Sequence, residues 1–272
     1  MKTGRSVSDL AKEVTRQNYA KKDYLVNTKV MRMDAPRTGR NPLMIFGEQV
    51  LGIRSLAHRQ ISQKLTIPAK YYDYMLENHT PLLGLNVNTW LHKFEETRLV
   101  RTLDGDMRAF LSKGYRPLDN YDLAETVLPL LNDNDYEIKS CEITENKFYL
   151  KAVTKRLYDE VEKDDIVQSG ICISNSEVGL GRLSVEPLVY RLACLNGMIV
   201  NDYGIRKNHV GRRHIDSRDV SEFYRDETKQ ADDKAFWMKI QDVVRATFDE
   251  VKFRTIVGSL KEASSQHITG DP

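Results

Sequence analysis

The segment Ile205-Arg-Lys-Asn-His-Val-Gly-Arg-Arg-His214 sets four cations, Arg206, Lys207, Arg212 and Arg213, beside His209 and His214, with no carboxylate before Asp216. Glycines at 204 and 211 make it read as a loop, and loops carry binding residues more often than the elements they join. Cations so placed suit phosphate, which they hold through charge and counterion release without reading base sequence. A solvated loop with no partner has the same composition, so both readings stand. Residues 98–116 interleave cations with rings: Arg98, Arg101, Arg108, Phe110, Lys113, Tyr115 and Arg116. On a hairpin, alternation sets Arg108 and Phe110 on one face, opposite Ala109 and Leu111. Cations beside stackable rings are what a single-strand platform needs, since every base offers a π-face. Phe110 fits a core position equally well. Arg37 and Arg40, in the basic loop Pro36-Arg-Thr-Gly-Arg40, offer a further phosphate contact.

Two other chemistries are open. Residues 55–78 scan as a helix-turn-helix, with Lys70, Tyr71 and Tyr74 on the second helix, which would suit a duplex-binding regulator. The spacing of Ala57, Ile61, Leu65 and Ile67 would serve any pair of packed helices as well. Glu145-Asn-Lys147, with Asp133 or Asp135 upstream, superficially matches a metal-dependent nuclease, in which carboxylates hold Mg²⁺ and a lysine assists water. Thr144-Glu-Asn also reads as a plain polar turn. Gly179-Leu-Gly-Arg-Leu-Ser lacks the lysine and spacing of a nucleotide-phosphate loop. His58, His79 and His92 are too scattered to suggest a metal, and no cofactor is expected. Cys141, Cys172 and Cys194 are widely spaced in apolar contexts and read as small buried hydrophobes.

These residues need elements to position them. With 40% hydrophobic and 29% charged residues, the 272-residue chain has the composition of a globular protein. No apolar stretch is long enough to span a bilayer, and the polar N-terminus has no apolar signal region. The expected location is the cytosol of whatever cell makes the chain. The net charge of +2 hides an uneven distribution: residues 1–70 hold fourteen Lys and Arg against five Asp and Glu, and residues 117–165 hold six against thirteen. Helices are expected near 8–20, from Ser55 up to the break at Thr66-Ile-Pro68, and near 69–77, 85–94 and 120–131. Strands are expected near 24–33, 43–46, 50–53, 97–103, 107–111, 136–143, 148–154, 166–174 and 182–200, with Asp104-Gly105-Asp106 as a hairpin turn. The stripe Phe236, Ile240, Val243, Val244, Phe248 and Val251 predicts a long amphipathic helix over about 228–265. Hairpins with flanking helices, and no strand–helix–strand alternation, predict an α+β fold with a largely antiparallel sheet, in one composite domain over 1–272.

Three segments carry a resemblance: Met107–Asn120, which ends Pro-Leu-Asp-Asn; Gly170-Ile-Cys-Ile-Ser-Asn-Ser-Glu-Val-Gly179 with Leu183–Pro187; and Tyr190-Arg-Leu-Ala-Cys-Leu-Asn-Gly-Met198. In these the chain, over about residues 40–250, resembles the phage and plasmid family named domain of unknown function 932. More distantly it is similar to single-strand annealing proteins of the Rad fifty-two type. The first resemblance implies a phage or mobile-element protein, and the more distant one implies recombination by binding single-stranded DNA and annealing strands as a homo-oligomeric ring or filament, without nucleotide hydrolysis. Phage or host replication and recombination proteins are the further partners it implies. On that expectation Arg206, Lys207, Arg212 and Arg213 bind phosphates, Arg101, Arg108, Lys113 and Arg116 line a groove, and Phe110 or Tyr115 stacks on bases. Arg37 and Arg40 add a second contact.

Overall fold

A computed structural model describes residues 7–35, 41–192, 196–199, 204–209 and 226–265. The fold is α+β, with two mostly antiparallel sheets. Where the sequence reading expects one composite domain, the contacts divide the chain into two compact units, residues 15–116 and residues 1–14 with 117–272. Each has its own sheet and its own core, and no Pro- or Gly-rich linker marks the junctions.

Residues 15–116 hold a six-stranded sheet of β1 (Lys21–Asn27), β2 (Arg32–Asp34), β3 (Leu43–Phe46), β4 (Gln49–Ile53), β5 (Thr97–Leu103) and β6 (Asp106–Ser112), in the order β1-β5-β6-β4-β3-β2. Its β4–β6 pair is parallel and the other pairs are antiparallel. Between β4 and β5 the chain forms α2 (Ser55–Lys64), α3 (Ala69–Asn78) and α4 (Thr80–Lys93). Their apolar residues Ala57, Ile61, Tyr72, Met75, Leu83, Val87 and Leu91 enter one core with Met33, Met44, Leu51, Val100, Met107 and Phe110. The expected strand over 24–33 is interrupted by a 3-10 turn, Thr28–Val30, because the Asn27 side chain accepts the Lys29 N–H at 2.9 Å. At the sheet edge, the Asn88 amide of α4 satisfies both backbone groups of Met33, at 2.7 and 2.9 Å, much as a neighbouring strand would. The β5–β6 turn runs through Asp104 and Gly105, both at positive φ (55° and 84°), as a tight primed turn requires.

The other unit holds β7 (Tyr136–Ile143), β8 (Phe148–Glu160), β9 (Ile166–Asn175), β10 (Leu183–Arg191) and β11 (Asn196–Ile199), in the order β11-β10-β9-β8-β7. A short β12 (Ile205–Lys207) also pairs with β10. The N-terminal helix α1 (Val7–Ala20) sends Leu10 and Val14 into this unit's core. There they join α5 (Asn120–Asp133) and Phe236, Ile240 and Val244 of α6 (Asp226–Ala246). The expected C-terminal helix comprises α6 and α7 (Glu250–Ser265), separated at residues 247–249. There the Thr247 hydroxyl donates to Val244 O at 2.6 Å, and Asp249 Oδ1 accepts from the N–H groups of Val251 and Lys252, capping α7. Among the described residues, no helix is long and apolar enough to cross a membrane.

Candidate nucleic-acid interface

Charge separates at the unit boundaries. Residues 15–116 carry seventeen Lys and Arg against nine Asp and Glu, a net +8, whereas the remaining residues carry twenty-four against thirty, a net −6. A polyanion is attracted by the first unit and repelled by the second.

Several cations of the basic unit already face carboxylates: Arg16 with Asp104, Arg54 with Asp104 and Asp106, Lys29 with Glu95, Lys64 with Glu96, and Arg32 with Asp34. Exposed Lys22, Arg59 and Lys70 make no ion pair with any described residue. Exposed Lys93 lies over two stacked rings, 5.1 Å from the Trp90 centroid and 5.8 Å from that of Phe94.

Arg59 and Lys70 sit on the α2–α3 corner, whose geometry follows from its sequence. Lys64 ends α2, Thr66 takes a left-handed conformation (φ 57°), Ile67 drops into the core, and Pro68 precedes the first residue of α3. Proline at that place has no N–H to leave unsatisfied. Two bonds hold the corner: Ser62 Oγ donates to Ile67 O at 2.8 Å, and His58 Nδ1 and the Tyr72 hydroxyl are hydrogen-bonded at 2.8 Å. Burial pushes His58 down to about 4, against a smaller upward pull from Asp73, so its imidazole is neutral. Residues 55–78 thus form two helices joined by a tight turn, which the helix-turn-helix reading and the plain packed-helix reading both expect. On α3, Tyr72 and Met75 are buried, whereas Tyr71 and Tyr74 are 45% and 55% exposed.

The hairpin expected to line a groove does not present its residues. Arg101 is 0% exposed, Arg108 2%, Phe110 1% and Tyr115 7%. Both faces of β5 and β6 are covered, whereas the alternation argument assumes one face in solvent. The Arg101 guanidinium hydrogen-bonds Asp23 Oδ1 at 2.9 Å, and Phe110 lies in the core under the Arg98 guanidinium, 4.8 Å from its centroid. Arg101, Arg108, Phe110 and Tyr115 are therefore interior residues, a correction to the groove expectation. Lys113 is exposed and Arg116 half-buried.

In the acidic unit, Arg206 pairs with the buried carboxylate of Glu186, and Lys207 Nζ lies 4.2 Å from the centroid of the Phe236 ring. Both cations are thus engaged within the fold rather than held clear for phosphate. Arg37, Arg40, Arg212 and Arg213 lie outside the described residues. Beside β12 is a buried polar cluster that the sequence reading did not pick out. Asn175 Nδ2 donates to Leu118 O (2.7 Å) and Asn120 Oδ1 (2.9 Å), His209 Nε2 meets Asn175 Oδ1 (2.9 Å), and Glu177 Oε1 accepts the Asn120 N–H (2.6 Å). The Asn175 amide nitrogen is committed to a carbonyl, so its oxygen faces His209 and Nε2 of that ring carries the proton. Asn120, Asn175 and Glu177 belong to the segments that carry the resemblance, and that density of polar residues beside apolar strand runs was the available signal.

Glu145 and Lys147 sit on the turn between β7 and β8, where the Thr144 hydroxyl oxygen accepts from the Asn146 and Lys147 N–H groups. Among the described residues, no group of three or more His, Cys, Asp or Glu is placed to hold a metal ion. No protein-family model, curated protein or solved structure matches the chain.

Proposed function

We propose that the chain binds single-stranded DNA and promotes annealing of complementary strands as a homo-oligomer, without nucleotide hydrolysis, in the cytoplasm of a bacterial host. The observation that carries the reading is the net +8 of residues 15–116 against −6 for the rest of the chain. Mutual repulsion of phosphates is what keeps two complementary strands apart, and a protein that neutralises phosphates lowers that barrier without spending a nucleotide. Contacts to phosphate leave base edges free to find their complement. The annealing and oligomeric parts of the reading extend the more distant likeness to single-strand annealing proteins of the Rad fifty-two type.

A labelled oligonucleotide titrated with the full chain, as single strand and as duplex over a salt series, tests it. The expected result is tighter binding of the single strand, with affinity falling as salt rises, and faster annealing of complementary oligonucleotides without added nucleotide. Duplex-only binding, or no binding at moderate salt, would overturn it.

A further inference from the structure

The exposed face of α3 combines features that the reading above leaves unused. Tyr71 and Tyr74 stand in solvent at about half of their area, on a helix whose Tyr72 and Met75 are buried. An exposed aromatic side chain costs apolar hydration, and two on one short helix make a surface suited to a flat apolar ligand. His79 extends the row, its ring 6.1 Å from that of Tyr74. Lys70 lies on the same helix, and Arg59 is on α2 of the same corner. Both are exposed and make no ion pair with a described residue.

The arrangement around the helix narrows the ligand. At 3.6 residues per turn, Tyr71, Tyr74 and Asn78 share one flank of the exposed face, Asp73 and Glu77 share the other, and Lys70 lies between. A helix laid in the major groove of a duplex, about 12 Å wide, meets phosphates on both sides, and one of those rows would run against Asp73 and Glu77. A single strand approaches from one side only. It can place its phosphates by Lys70 and Arg59 and its bases on the two tyrosines, clear of the acidic flank.

We propose that the Tyr71–Tyr74 flank of α3, with Lys70 and Arg59, is a platform on which unpaired bases of a single DNA strand stack. The proposal rests on the single-strand reading above and adds where the bases sit. The platform is rigid before the strand arrives, because the His58–Tyr72 and Ser62–Ile67 bonds fix α3 against α2. Stacking on a rigid helix loses little conformational freedom, and it tolerates any base because every base has a flat face.

The test compares binding of a fluorescent oligothymidylate by the full chain and by Tyr71→Leu/Tyr74→Leu, with Tyr71→Phe/Tyr74→Phe as the aromatic-retaining control. An abasic strand of equal length is the second probe. The leucine pair is expected to weaken oligothymidylate binding roughly thirtyfold, about two bases' worth of stacking. The phenylalanine pair should bind within about twofold of wild type, and the abasic strand should not distinguish the three proteins. Wild-type binding that the leucine pair leaves intact would overturn the platform while leaving the single-strand reading in place. An equal loss on the abasic strand would also overturn it, since the tyrosines would then act on phosphate contacts or on the fold. With a duplex of equal length as a third probe, a larger loss on duplex than on single strand would overturn the platform and assign α3 to duplex recognition. Failure of wild type to bind any strand would remove the single-strand reading itself, and the platform with it.

Discussion

Among single residues, His58 shows how the interior of the basic unit decides a side chain's state. It is buried between α2 and α3 against the Tyr72 hydroxyl, and loss of hydration holds its pKa near 4, below the ordinary 6.5. A folded value below the unfolded one means the unfolded chain takes up a proton first as pH falls. The contribution of neutral His58 is complete above pH 6.5 and is lost between 6.5 and 4, an amount of about 3 kcal/mol by linkage. Urea unfolding of wild type and His58→Gln at pH 7 and pH 4.5 checks this, the glutamine keeping a polar partner for Tyr72 without titrating. Wild type should lose more stability than the variant on acidification; an equal loss would mean that His58 is hydrated in the folded state. The sequence marks His58 only as one scattered histidine. Its role depends on a partner fourteen residues away across a turn, which composition does not disclose. The Tyr71-Tyr-Asp-Tyr74 run was more legible: on α3 the helical phase that buries Met75 also turns Tyr72 inward and leaves Tyr71 and Tyr74 out.

Among elements, the β5–β6 hairpin separates what the sequence discloses from what it hides. Its turn was legible, because Asp104-Gly105 is a pair whose backbone preferences fit positive φ. Its burial was not. Arg98, Arg101 and Arg108 mark an exposed strand in any reading by composition, yet the hairpin is central in its sheet, between β1 and β4, and covered on both faces. A register shift between Arg101 and Thr102 also breaks the alternation on which the groove expectation depended. Arg101 is accordingly a structural residue. Arg101→Ala should cost about 3 kcal/mol of stability, from the cavity and the broken contact with Asp23. Its effect on single-strand affinity, measured on folded variant, should be under about twofold. A large loss of affinity with stability unchanged would return Arg101 to the binding surface. The division of the C-terminal segment into α6 and α7 was legible in part, since Asp249 followed by Glu250 is a helix-start signal inside an otherwise continuous apolar stripe.

For the whole molecule, the α+β class followed from local patterns of hairpins and flanking helices. The two units did not, because their junctions fall inside α1 and before Pro117 with no change in composition. The charge excess of the early residues was visible in the sequence, but its meaning changes once β5 and β6 join that segment in one unit. The +8 then belongs to a folded body whose cations are partly paired, and Arg59 and Lys70 stand out as exposed cations with no ion pair to a described residue. The most direct test is the salt dependence of single-strand binding by wild type and by Arg59→Gln/Lys70→Gln. Each phosphate contact to a single strand contributes about 0.7 to the slope of log affinity against log salt, so the double variant should show a slope shallower by about 1.4. An unchanged slope, with affinity equal to wild type across the salt series, would contradict binding through this face of the basic unit.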